Sequence, residues 1–319
     1  MAGIRRLLAA SLVLAVAACI TSASCANASV PARESHADTR DIGRMHRPDV
    51  QRGAMFALSC MVYLSENLLP QALEACNRAI DADPTDAQAL RLRGSVFLVM
   101  RERDLAILDF SISIDIEPSN AAGYDLRGRA HYDAGNLSDA VADFSRSIAL
   151  EPGDADAYDA RGSALQAMGR YGDAIADFGS AIVRAPADAG AWNARCWVRM
   201  VANTALPAAL ADCAQAIRLD PGSSHPYDSL GWVYLRMNDP RNAIRNFDAA
   251  LERTPKLPTS LYGRGLARMA LGDNGHGARD IAAARALQPG IAERFGSYGF
   301  PVPRRLPRMP NRAGAETAS

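Results

Sequence analysis

Seven prolines, Pro84, Pro118, Pro152, Pro186, Pro221, Pro255 and Pro289, stand 34, 34, 34, 35, 34 and 34 residues apart. A chain punctuated at that interval is a repeat protein. Each interval holds one supersecondary unit that cannot bury its apolar face alone and must stack on its neighbours. Arrays of this kind present extended surfaces, and their usual work is to hold another macromolecule rather than to transform a small one.

The repeats run over about 53–86, 87–120, 121–154, 155–188, 189–223, 224–257 and 258–291. Each carries two amphipathic helical segments joined by a short polar turn. The proline ends the second helix, and Thr85, Ser119, Asp154, Asp188 or Ser224 is placed to cap the next. With 49% hydrophobic and 22% charged residues, the chain has the apolar content for a continuous core. A formal net charge of zero provides no strongly basic face for nucleic acid.

Position by position, the unit resembles the tetratricopeptide repeat (TPR), whose pattern has an aromatic at position 4, small residues at 8, 20 and 27, an aromatic at 24 and Pro at 32. Position 4 reads Phe56, Leu90, Tyr124, Tyr158, Trp192, Tyr227 and Leu261, and position 20 reads Ala72, Ala106, Ala140, Ala174, Ala209, Ala243 and Gly277. Position 27 is Ala79, Ser113, Ser147, Ala181, Ala216, Ala250 and Ala284. The first unit is degenerate, and the fifth has an extra residue before its second helix. The resemblance implies an all-α fold, a right-handed α-solenoid of about seven helix-turn-helix repeats with a concave groove lined by the first helices.

Two covariations inside the array speak to packing. Glycine at position 8 accompanies a bulky residue at 24: Gly94 with Phe110, Gly128 with Phe144, Gly162 with Phe178, Gly231 with Phe247 and Gly265 with Ile281. A missing side chain opposite a large one implies direct helix contact. In the first and fifth units both positions become cysteine, Cys60 with Cys76 and Cys196 with Cys213. In an exported chain these form two disulfides, each stapling its own hairpin, and a loop of about 17 residues is worth roughly 3 kcal/mol. No C-x-x-C or four-ligand spacing points to redox or zinc chemistry. Arg at position 7 occurs with Asp at 23 in five units: Arg93 and Asp109, Arg127 and Asp143, Arg161 and Asp177, Arg195 and Asp212, Arg264 and Asp280. The first and sixth units lack both residues, so the spacing predicts an ion pair within each repeat that has them.

Ahead of the array, residues 1–28 have the form of a signal peptide. Arg5 and Arg6 precede an apolar run, Leu7 to Ile20, and Ala26-Asn27-Ala28 supplies small residues for cleavage. The alternative is a lipoprotein acylated at Cys19, since Val16-Ala17-Ala18-Cys19 resembles a lipobox. Cleavage after Ala28 removes Cys19 and Cys25 and leaves four cysteines to pair. The polar stretch 29–52 reads as a flexible spacer. Both routes export the protein, to the periplasm or to a membrane anchored through Cys19.

No catalytic constellation appears. The five histidines are scattered without metal spacing, and no glycine-rich loop follows a strand. The expected cofactor and metal set is therefore empty, and the expected activity is binding rather than catalysis. In this family the groove is lined mainly by positions 2, 5, 9, 12 and 13. Here the third and fourth units place Asp125, Arg129, Tyr132, Asp133, Asp156, Asp159 and Gln166 there, and the fifth to seventh place Trp197, Met200, Trp232, Leu235, Tyr262, Leu266 and Met269. The groove is thus expected to be acidic in the middle and apolar towards the C-terminus, suited to a peptide or protein segment. The competing reading for Trp197 and Trp232 is packing against neighbouring helices or the C-terminal segment. That segment, 292–319, combines a cap on the last repeat, with Phe295 and Tyr298, and an extended tail carrying Arg304, Arg305, Arg308 and Arg312. The sequence therefore reads as a non-enzymatic scaffold or adaptor of the bacterial envelope, with a self-associating envelope component as the alternative and a thiol redox or other enzyme as the third reading.

Overall fold

The structure, a computed structural model, describes residues 47–303. The leader, Cys19, Cys25 and the arginines from Arg304 onward lie outside these residues. Among the described residues there are fifteen helices and no strand. The chain divides into two compact units, one ending at Gly153 and one beginning at Asp154.

The first unit holds three helical hairpins: α1 (Arg47–Ser65) with α2 (Leu69–Ala82), α3 (Ala87–Met100) with α4 (Arg103–Ile116), and α5 (Ala121–Ala134) with α6 (Leu137–Leu150). The second holds four, α7 (Ala155–Ala167) with α8 (Tyr171–Arg184), α9 (Ala189–Val201) with α10 (Leu206–Leu219), α11 (His225–Arg236) with α12 (Pro240–Arg253) and α13 (Pro258–Ala270) with α14 (Asn274–Leu287), followed by a short α15 (Ile291–Ser297). Every second helix ends two residues before its proline, because the residue preceding a proline is driven out of the helical region. The first helix begins earlier than expected, at Arg47 inside the stretch read as a spacer. Pro48 falls in its first turn, where a missing N–H costs nothing.

The caps fall one residue later than expected in the second and third repeats. Asp86, not Thr85, accepts from the backbone of Gln88 and Ala89, and Asn120, not Ser119, accepts from Ala122. Thr85 is turned away, donating its own N–H and hydroxyl to Asp83. Asp154 and Asp188 cap as expected. Ser224 makes no cap, and its hydroxyl instead accepts from Thr254 at 2.9 Å.

Inside each hairpin the two covariations become contacts. A Cβ added to Gly94 would stand 2.6 Å from the Phe110 ring, and one on Gly231 would stand 2.6 Å from Phe247. The helices therefore approach as closely as they do only because these side chains are missing. Cys60 is bonded to Cys76 and Cys196 to Cys213, with Cα separations of 5.2 and 5.5 Å.

All five Arg–Asp pairs form two-pronged bonds through Nε and Nη2 at 2.7–2.9 Å, with every carboxylate buried. The hydrogen bond to Asp leads the causes that raise the pKa of Arg93, Arg127, Arg161 and Arg264. The fork also has a third arm. Nη1 of Arg93 donates to Asn77, that of Arg127 to Ser111, and that of Arg264 to Asp248, each in the preceding repeat.

Asp143→Ala therefore leaves the Arg127 guanidinium without its carboxylate in a mostly buried site. The expected loss is about 2–4 kcal/mol, because Arg127 keeps some exposure and the cost stays below that of a fully buried orphan charge. Urea unfolding checks it, and an unchanged midpoint contradicts the role assigned to the fork.

Candidate functional site

The first helices carry the side chains that the sequence assigns to a groove. In the first unit these lie on α5. Asp125 is buried and accepts from Nε of Arg129 one turn on, at 2.7 Å. Tyr132 is 38% exposed and Asp133 is open to solvent. The four residues thus divide into a pair at the base and two that face outward.

In the second unit, α7 presents Asp156 to solvent and leaves Asp159 and Gln166 half-buried. Further along, the expected open apolar stretch is covered. Met200 on α9, Trp232 on α11 and Tyr262 on α13 are fully buried, Leu266 is buried, and Trp197, Leu235 and Met269 are half-buried. The cover is the chain's own C-terminal segment. Phe295 on α15 stacks on Trp232 with ring centroids 3.8 Å apart, meets Trp197 edge-on at 6.2 Å, and leans on Tyr262 at 5.7 Å. Tyr298 adds a second edge contact to Trp197, and Phe300 one to Trp232 at 4.8 Å. The segment does more than cap the last repeat, since it reaches back to α9, two repeats upstream. The physical reason is aromatic surface: one exposed ring from each of three successive first helices is buried by a single strand of chain.

A polar group that the sequence did not single out lies in the same region. Asp228, at position 5 of the sixth repeat, is buried, and Ser260 donates to it at 2.6 Å. Burial pushes its carboxyl up from 3.8 to about 6, opposed by hydrogen bonds from Ser260 and Thr259 and by the charges of His225 and Arg294. Its only trace in the sequence is an acid at a groove position, and nothing in the sequence marks it as buried.

The sign of its effect follows. The folded state holds the Asp228 proton more tightly than the unfolded state, so this group lowers stability as pH rises from about 4 to about 6, and the cost is full at neutral pH. Asp228→Asn keeps an acceptor for Ser260 and removes the charge. The variant is expected to be more stable by about 1–3 kcal/mol at pH 7.5, with the difference vanishing near pH 4. Unfolding midpoints across that range test it, and a variant less stable at pH 7.5 contradicts it.

Among the described residues, no group of three His, Cys, Asp or Glu side chains is placed to hold a metal ion, and no helix is long and apolar enough to cross a membrane. The first helices of each unit thus carry their rings and carboxylates on an all-α, helical-repeat frame of the solenoid class.

Comparison with known proteins gives that class its family. The tetratricopeptide repeat family profile matches residues 126–164, 160–224 and 229–292, more than half of the chain. The chain belongs to the tetratricopeptide repeat family. A FAM10 family protein of Arabidopsis thaliana is 35% identical over 79 residues, which is 25% of this chain and 18% of that protein's length. The chain thus spans less than a fifth of that curated relative. Among solved structures, a tetratricopeptide repeat protein from Parabacteroides merdae superposes with a TM-score of 0.63 at 14% identity, over 78% of this chain and 100% of the other. YrrB, described as a TPR protein with an unusual peptide-binding site, superposes with a TM-score of 0.51 at 19% identity, over 60% of this chain and 99% of its own. At these identities the likeness to the solved structures is one of fold.

Proposed function

We propose that this protein is a non-enzymatic scaffold of the bacterial envelope that binds a peptide or protein segment on the face formed by its first helices. One observation carries the reading: that face already holds a peptide segment, the chain's own residues Ile291–Pro303, seated on Trp197, Trp232 and Tyr262. A surface that buries one segment through aromatic rings has the chemistry to bury another. The fold shared with YrrB, a peptide-binding TPR protein, supports the same reading. In the first unit Tyr132 and Asp133 are exposed, and there a partner meets the protein away from the C-terminal segment.

Export is supported by the chain's own chemistry. Two hairpin disulfides persist in an oxidising compartment and not in a reducing cytosol. The charged-then-apolar leader fits that route, with cleavage after Ala28 leaving a periplasmic protein and acylation at Cys19 leaving an anchored one. Peptide maps of the exported protein without reductant are expected to show Cys60 linked to Cys76 and Cys196 to Cys213, and four free thiols contradict export into an oxidising compartment.

The second reading, self-association, has one observation in its favour. Met55, Leu58 and Val62 form an apolar stripe on α1, exposed by 70%, 58% and 43%. Light scattering over a concentration series separates the two, because only self-association raises the mass. For the scaffold reading, crosslinking capture from the native envelope is run with the parent and with a Tyr132→Ala, Asp133→Lys variant at two exposed positions, whose unfolding midpoint is first matched to the parent's. Recovery of one partner by the parent alone supports the reading, and equal recovery moves the interface elsewhere.

A further inference from the structure

We infer that the first-helix face of the fifth to seventh repeats is a recognition site for an arginine–aromatic segment of a partner protein, and that Ile291–Pro303 is its resident stand-in, open to exchange. This rests on the scaffold reading above and adds the ligand chemistry to it. Four features of the site argue for it.

The first is convergence. Trp197, Trp232 and Tyr262 come from three different helices, and all three contact the one ring of Phe295. A core built for stability alone distributes its rings, whereas a cage around one ring selects that ring. The second is how the backbone is held. Arg236 donates to the carbonyl of Tyr298 at 2.6 Å, Tyr262 to that of Pro301 at 3.5 Å and Arg285 to that of Pro303 at 3.1 Å. Side chains of the repeats holding three backbone carbonyls of a segment, those of Tyr298, Pro301 and Pro303, is a manner in which a peptide is bound, and it does not depend on that segment's side chains.

The third feature is charge. The guanidinium of Arg294, the residue before Phe295, stands 5.0 Å from that ring's centroid, and its charge makes a small contribution to holding down the carboxyl of the buried Asp228, so the site accommodates a basic residue next to the ring. Phe300 extends the pattern, with the Arg236 guanidinium 4.1 Å from its ring centroid. The fourth is that the segment is a modest tenant. Its helix has seven residues, too few to be helical without the surface beneath it. Three buried nitrogens at the contact, Nε1 of Trp232 and Nε of Arg236 and of Arg294, find no hydrogen-bond acceptor. Each unmatched group weakens the fit, which leaves room for a partner that matches them better. The recognised sequence is therefore an arginine followed by an aromatic, with a second aromatic five positions after the first, as in Arg294, Phe295 and Phe300.

The test uses the full chain and a labelled synthetic peptide of residues 290–303. Phe295→Ala vacates the cage, so the peptide is expected to bind this variant at least about 100-fold more tightly than the parent, whose competent fraction is kept low by the resident segment. A peptide with Ala in place of Phe295 is expected to lose at least about tenfold of that affinity. No binding to a Phe295→Ala chain that still unfolds cooperatively overturns the inference, as does equal binding to parent and variant. Should Phe295→Ala not fold, a parent chain with a protease site at Gln288–Gly290 is cut after folding. Exchange of the cut segment for the labelled peptide supports the inference, and unfolding on cleavage or no exchange overturns it. A parent dimer dispersed by the peptide shows a segment seated between copies, which also overturns the resident arrangement. Failure here leaves partner capture at Tyr132 and Asp133 untouched, so it is distinguishable from failure of the scaffold reading.

Discussion

An arginine planted between two helices organises the repeats that have it. Its Nε and Nη2 hold a buried aspartate on the second helix of its own hairpin, and in three repeats its Nη1 reaches a side-chain oxygen on the hairpin before. A buried carboxylate is costly unless its hydrogen bonds are met with good geometry, and the planar fork supplies that geometry. The same group therefore sets both the angle inside a hairpin and the seat of that hairpin on its neighbour. In two repeats the carboxylate is shared further, with Asp212 also bound by Arg199 and Asp280 by Arg268.

The two repeats without the fork are held by other contacts. In the first, the Cys60–Cys76 bond ties α1 to α2 covalently. In the sixth, Asn246 turns back to donate to the carbonyl of Asn242, and packing takes over. The Phe247 ring lies so close that a Cβ on either Gly231 or Gly263 would stand within 2.6 Å of it, and Trp232 meets the same ring edge-on at 5.5 Å. These devices are not confined to repeats without the fork: the fifth holds both the Arg195–Asp212 pair and the Cys196–Cys213 bond, and Gly94 meets Phe110 as closely as Gly231 meets Phe247.

Much of this was legible in the sequence because a repeat samples one structural position several times. Glycine varying with phenylalanine, cysteine with cysteine and arginine with aspartate are each a contact stated in residue types, and each is a contact in the structure. The cap positions were misplaced by one residue in two repeats because Thr85 and Ser119 have the right chemistry, and only the backbone shows that the helix begins after Asp86 and Asn120. What a repeat pattern cannot disclose is what happens only once. The stacking of Phe295 on Trp232 and Tyr262 comes from a segment after Pro289 that has no counterpart earlier in the chain, so the sequence offers it only as the alternative to an open groove. The third arm of the fork was missed for a different reason: Asn77, Ser111 and Asp248 share an oxygen at position 25 and no residue type.

The two units thus present their first helices differently, the first with Tyr132 and Asp133 facing solvent and the second with its rings beneath the C-terminal segment. The central claim is that this segment is a ligand of the repeats rather than part of their frame. Hydrogen exchange followed by mass spectrometry on the full chain tests this most directly. If the claim holds, the amides of α15 exchange through a separate, lower-energy opening while α11 and α13 stay protected. If α15 and those helices exchange together, only as the whole unit unfolds, the segment is integral to the fold and the account is wrong.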